Sequence, residues 1–224
     1  NLDGTLIINN SVISDNIALI GGGAGIYAGN ESSTYIYKTT ISNNNGGGPN
    51  GTLSISSGGA FVKRGNGLFE VIDSILSNNY AETIGGAIYS NSTGNIVIKN
   101  TKITNSSARN QGGAIYNISG NIIIENSTFS DNKVTATDQT YGFGGAIANE
   151  PLGNITITNS QFTNNTATKT GGFLWNQGTA NISDSCISGN SNIVLVNYSS
   201  TIPAINNWWG SATGPSANDI SGSV

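Results

Sequence analysis

Gly85-Gly86-Ala87-Ile88-Tyr89 is followed 27 residues later by Gly112-Gly113-Ala114-Ile115-Tyr116-Asn117, and this pair of stretches decides the fold. The phrase returns as Gly58-Gly59-Ala60-Phe61-Val62, as Gly144-Gly145-Ala146-Ile147-Ala148-Asn149 and as Gly171-Gly172-Phe173-Leu174-Trp175-Asn176. A variant, Gly23-Ala24-Gly25-Ile26-Tyr27, stands near the start. Gly58 to Gly85 and Gly144 to Gly171 are again 27 apart, while Gly23 to Gly58 and Gly112 to Gly144 run longer. Self-similarity at a fixed period is the signature of a solenoid. One elongated domain over residues 1–224 is expected, with 206–224 as an irregular terminal coil.

Between the glycine phrases lies a second one, apolar-x-Asn/Asp-Ser/Thr-x-apolar-Ser/Thr-x-Asn, first seen as Ile8 to Asn16. Its two apolar columns are Ile8, Ile36, Val71, Ile98, Ile124, Ile157, Ile182 and Ile13, Ile41, Leu76, Ile103, Phe129, Phe162, Ile187, and neither admits a polar residue. Short alternating runs rich in Ile, Val and Thr and bounded by Gly, Asn and Ser are strand signals, and nothing shows a 3.6-residue period. Coils of roughly 27 residues stacked at about 4.8 Å make a parallel β-helix of about seven or eight turns, expected to be right-handed.

Stacking turns columns into ladders. Asn16, Asn44, Asn79, Ser106, Asn132, Asn165 and Asn190 are expected to bond amide to amide. Asn10, Lys38, Asp73, Asn100, Asn126, Asn159 and Asp184 form a column that the lone Lys38 turns outward. Beside it Ser11, Thr39, Ser74, Thr101, Ser127, Ser160 and Ser185 are expected to cap a turn through the backbone. The glycine pairs suit a corner needing positive φ or close backbone approach. A phosphate loop is excluded, because neither GxGxxG nor GxxxxGK[ST] occurs and no helix follows.

Charged residues are only 9% of the chain, His and Met are absent, and the net charge is −4 with six Lys and two Arg scattered. No basic stripe exists for nucleic acid. No apolar run is long enough to span a bilayer and no signal segment opens the chain; because residues 1–14 already read as repeat, removal of a leader or further repeats from a longer protein is expected. Cys186 falls in a mixed, surface-type column and reads as a partly exposed free thiol.

Paired GGA[I/L/V] and FxxN tetrapeptides in a β-helix are the hallmark of the polymorphic outer-membrane protein repeat and related adhesin-like surface proteins. This chain resembles them over roughly residues 5–210: GGAI stands at 85–88, 112–115 and 144–147, and FxxN at Phe129–Asn132 and Phe162–Asn165. Asn206-Asn207-Trp208-Trp209-Gly210 with Gly214-Pro215 is similar to a phrase found in a coil of many such proteins. The tryptophans read as packing at an irregular coil rather than as sugar stacking. The resemblance implies an extracellular or cell-surface passenger or stalk, whose partner is a glycan or protein of a host or neighbouring cell.

All length variation falls between the second apolar column and the next glycine pair, as insertions Asn43–Ser57 and Lys133–Phe143 on one edge. Just after this edge comes the column Tyr27, Val62, Tyr89, Tyr116, Ala148, Trp175, which alternation points outward. With Asn117, Asn149 and Asn176 beside it, an exposed aromatic ladder would suit sugar faces. Tyr27, Tyr89, Tyr116 and Trp175, with Tyr141 and Phe143 of the second insertion, are therefore the candidate ligand-binding residues; cross-coil stacking that only stabilises the sheet is the competing explanation.

Polysaccharide-cleaving enzymes also use β-helices, but they need a positioned acid and base or a metal-held carboxylate. None of the seven Asp and five Glu pair in adjacent groove columns, and Arg64 and Arg109 lie on different columns. Without His or a calcium nonapeptide, no catalytic residue, metal ligand or cofactor is expected, and the chain is read as a non-enzyme. A regular Thr face for ice is also lacking. The sequons at Asn91, Asn117, Asn154 and Asn181 are attributed to composition.

Overall fold

The computed structural model describes residues 4–19, 22–47, 57–137 and 140–224, and these contain strands and turns but no helix. The strands form three parallel sheets, of 14, seven and four strands among the described residues. Each coil contributes one strand to the seven-stranded sheet, from Val12–Ser14 through Thr128–Ser130 to Cys186–Ser188. Register is in step throughout, for instance Ile98 opposite Ile124 and Phe129 opposite Phe162. The chain is a parallel β-helix, as the repeat required.

Both apolar columns face the interior. From Ile36 to Ile182 and from Ile41 to Ile187 they are at most 1 % exposed. Phe61 stacks on Phe69 at 3.8 Å between ring centres and Phe129 on Phe162 at 4.8 Å, contacts that add about 0.5–1.5 kcal/mol each beyond burial.

The corners follow from side-chain chemistry. Asn16, Asn44, Asn132 and Asn165 each donate Nδ2 to the Oδ1 of the next asparagine at 2.8–3.0 Å. Ser106 interrupts this ladder: only its backbone N–H reaches Asn132 Oδ1, at 3.0 Å. Hydroxyls of Thr39, Ser74, Thr101, Ser127, Ser160 and Ser185 donate to the carbonyl two residues back at 2.7–2.9 Å. The preceding column, Asn10 to Asp184, is left-handed at φ 47–52°, which Asn and Asp tolerate and which turns Lys38 outward.

In the glycine phrase the two glycines do different work. The first, from Gly23 to Gly171, sits at φ 63–75°. The second has no room for a side chain: a Cβ on Gly59, Gly86, Gly113, Gly145 or Gly172 would fall 2.1–2.5 Å from a carbonyl oxygen of the next coil. Strands Asn45–Gly46, Tyr80–Ala81, Ser107–Ala108 and Lys133–Val134 stack as the short sheet just ahead of this corner. Asn45–Gly46 and Lys133–Val134 therefore belong to the coil proper, and the insertions are shorter than the spacing implied. Of these, 48–56 and 138–139 lie outside the described residues.

Near the end, Asn206 to Trp209 keep register with Asp184 to Ile187. Asn206 is left-handed at φ 57° like Asp184, Asn207 Oδ1 accepts the Ser185 N–H at 3.0 Å, and Trp208 bridges to Cys186. Trp209 thus falls in the inward column and packs against the core, whereas Trp208 stays 49 % exposed.

Candidate functional site

The column Tyr27, Val62, Tyr89, Tyr116, Ala148, Trp175 is aligned coil by coil and points out of the coil. It is not the exposed ladder that alternation suggested. Tyr27 is 40 % exposed, but Tyr89 is 6 % and Trp175 7 % exposed. Ala148, Trp175 and Val196 are covered by Tyr116, Phe143 and Ile193, making a second, smaller core outside the coil. Phe143 stacks on Trp175 at 5.3 Å and Tyr198 meets that indole edge-on at 6.0 Å. Outward direction is a property of the strand; exposure depends on what the next loop lays over it.

Asn117, Asn149 and Asn176 are likewise not sugar-facing. The period of two that turns the tyrosines outward turns their neighbours inward, and all three are fully buried. They form a second ladder: Asn117 to Asn149 at 2.9 Å, Asn149 to Asn176 at 2.7 Å, Asn176 to Asn197 at 2.9 Å. In the same register Ser90 and Lys63 continue the column on the other side. Lys63 is fully buried, donates Nζ to the carbonyls of Ser32 at 3.0 Å and Arg64 at 2.8 Å, and has its pKa lowered by that burial. The burial of Asn117 also removes one sequon from the surface, while Asn91, Asn154 and Asn181 are exposed.

Between the covered half of the strip and its first coils a groove of about 440 Å³ opens, within the size range of small-ligand sites. Its walls are Tyr89, Tyr116 and Tyr141, with Arg64, Ser57, Thr83, Ile84, Asn110 and Gln111. Three of the six expected binding residues meet here. Tyr27, Phe143 and Trp175 do not line it. Arg64, set aside in the sequence because it shares no column with Arg109, and Asn110 and Gln111, which the sequence did not single out, belong to different columns; the corner between the short sheet and the glycine phrase brings them to one place.

The groove's rings stack along the rod. Tyr89 and Tyr116 lie 6.2 Å apart and within 4° of parallel, and the Arg64 guanidinium lies 5.7 Å from the Tyr89 ring centre. Their faces are thus largely taken, and the groove offers ring edges and polar heads. Burial, reinforced by donation to Glu150 Oε1 at 2.6 Å, raises the Tyr116 hydroxyl pKa well above the usual phenol range. Tyr80, just outside, is pushed up to about 12 by burial and by its bond to Glu82 Oε2 at 2.5 Å. Arg109 holds the other Glu82 oxygen at 2.8 Å. The Arg64 guanidinium, the Tyr89 hydroxyl and the Asn110 and Gln111 amides have no hydrogen-bond partner among the described residues. Four residues whose polar side chains take no hydrogen-bond partner among the described residues thus line one concavity.

A second depression, of about 640 Å³, is lined by Asn30, Glu31, Gly65, Asn66 and Thr93 and has no aromatic wall. Among the described residues no three His, Cys, Asp or Glu side chains are grouped to hold a metal ion. Among the described residues no helix is long and apolar enough to cross a membrane.

The family model described as the right handed beta helix region matches residues 86–209, more than half of the chain, and the chain belongs to that family. The coil is therefore a right-handed parallel β-helix. No curated protein and no solved structure matches it.

Proposed function

We propose that this β-helix is a secreted or surface-displayed segment that binds a glycan in the Tyr89–Tyr116–Tyr141 groove without cleaving it. What carries the proposal is the convergence of the Arg64, Tyr89, Asn110 and Gln111 polar heads, none of them partnered within the described residues, on a tyrosine-walled cavity. Amides and a guanidinium bond hydroxyls, and tyrosine edges supply apolar contact to the sugar ring. The paired GGAI and FxxN repeats favour an adhesin-like passenger of the polymorphic outer-membrane type, presented to a host or neighbouring cell.

Cleavage is the competing proposal, and the groove speaks for binding over it. Glycoside hydrolysis generally calls for two carboxyl groups flanking the bond. None is among the described groove-lining residues, and the nearby Glu150 is engaged by a tyrosine hydroxyl held firmly protonated. The test is a glycan array probed with the wild-type protein and with an Asn110→Ala/Gln111→Ala double variant. Retention of an oligosaccharide by the wild type, weakened about tenfold or more in the variant, is expected from the loss of two or more hydrogen bonds. Equal retention by both would remove the groove from the function. Release of shortened products would make the protein an enzyme instead.

A further inference from the structure

We propose that the groove selects a carboxylated sugar, with Arg64 meeting the carboxylate. This rests on the groove being the glycan site and adds what distinguishes its ligand from a neutral chain.

The charges around the groove support this. Arg64 is exposed at the end of strand Phe61–Gly65 and has no carboxylate within salt-bridge distance among the described residues. Among the described residues the carboxylates beside the groove are already engaged: Glu82 by Tyr80 and Arg109, and Glu150 by Tyr116. Of the other cations nearby, Arg109 is spent on Glu82, Lys169 lies 5.2 Å from the Phe143 ring centre, and Lys63 is buried with its ammonium on two carbonyls. In a chain of net charge −4, the groove thus holds one unpaired cation and no unpaired carboxylate among its described lining residues.

Geometry favours a carboxylate over a general attraction for anions. A guanidinium resting on an aromatic ring is pre-ordered, so little side-chain entropy is lost when it binds, and its fork matches two carboxylate oxygens. Tyr89, whose ring lies under that guanidinium, and Asn110 and Gln111, which line the same groove, supply a hydroxyl and two amides for the hydroxyls of the same sugar. A neutral sugar offers the guanidinium single hydroxyl oxygens, which neither match its fork nor neutralise its charge.

The experiment titrates the protein with a four-sugar alternating glucuronate oligosaccharide, the same chain carboxyl-reduced to alcohols, and a sulfated neutral chain. Wild type, Arg64→Gln and Arg64→Lys are compared at low and at physiological salt, with thermal unfolding as the folding control. The acidic chain is expected to bind the wild type about tenfold or more tighter than the reduced chain. Arg64→Gln should erase that preference by bringing acidic-chain affinity down to that of the reduced chain, and Arg64→Lys should lose most of it because an ammonium does not reproduce the fork. Equal binding of acidic and reduced chains, unaltered by Arg64→Gln, overturns the acidic preference and leaves the groove as a neutral-glycan site. A sulfated chain that binds tightest and tolerates Arg64→Lys also overturns it, in favour of a point-charge site. Binding of none of the three chains overturns the groove assignment and this inference together.

Discussion

The outward strip has two halves built on the same repeat. At Tyr89 and Tyr116 it faces a groove; at Trp175 and Val196 it lies under Phe143, Ile193 and Tyr198. Both halves start from the same glycine corner and the same β-register, so the coil does not distinguish them. Beneath the covered half runs an unbroken ladder from Asn149 to Asn197, which extends to Asn117 beneath Tyr116, whereas beneath Tyr89 and Val62 the column passes to Ser90 and Lys63. Which part of a repeat surface is free for a ligand is set by the irregular residues between repeats, and the interior changes with it.

The largest expected effect comes from breaking the covered half. Trp175→Ala removes the centre of the outer core and should cost about 3–5 kcal/mol of stability in chemical denaturation, with glycan affinity unchanged while the protein stays folded. Loss of affinity at matched folded fraction would mean the two halves work as one site. Next is Asn149→Ala, which deprives Asn117 Nδ2 and Asn176 Oδ1 of their partner inside the coil. It should destabilise by about 2–3 kcal/mol and leave oligosaccharide binding as it was; a binding defect without destabilisation would restore these amides to the ligand surface.

The smallest effect sharpens the contrast beneath the open half. Burial lowers the folded-state pKa of Lys63 below its ordinary 10.5, so the unfolded chain holds the proton more tightly. The penalty for burying the ammonium is fully present below the folded pKa and is relieved as pH rises from that value towards 10.5. Wild-type stability measured against Lys63→Met should therefore climb with pH across that alkaline window and stay flat beneath it. A difference that is level across the window would show that Lys63 titrates as a solvated amine.

The fold was legible because columns are a one-dimensional signal. Two uninterrupted apolar columns, the Asn and Ser/Thr ladders and the glycine pairs each demand one place in the coil, and the structure puts them there. The site was only half legible, for two physical reasons. Alternation predicts direction but not cover, so Tyr89 and Trp175 were rightly turned outward yet wrongly exposed. The same alternation, carried one residue further, places Asn117, Asn149 and Asn176 inside, a consequence that the attraction of amides for sugars obscured. Arg64, Asn110 and Gln111 belong to no shared column, and only the folded corner brings them together.

The second glycine of each pair leaves adjacent coils in backbone contact, with no side chain between them. Coil spacing at that seam is therefore dictated by main-chain atoms alone and is insensitive to what neighbouring positions become. A loop emerging just before the seam can lengthen, shorten or change chemistry without transmitting strain into the rod. The seam makes the groove wall an exchangeable part: grafting a different loop in place of 136–141, with Phe143 kept on Trp175, would change the groove's lining while the rod beneath kept its pitch.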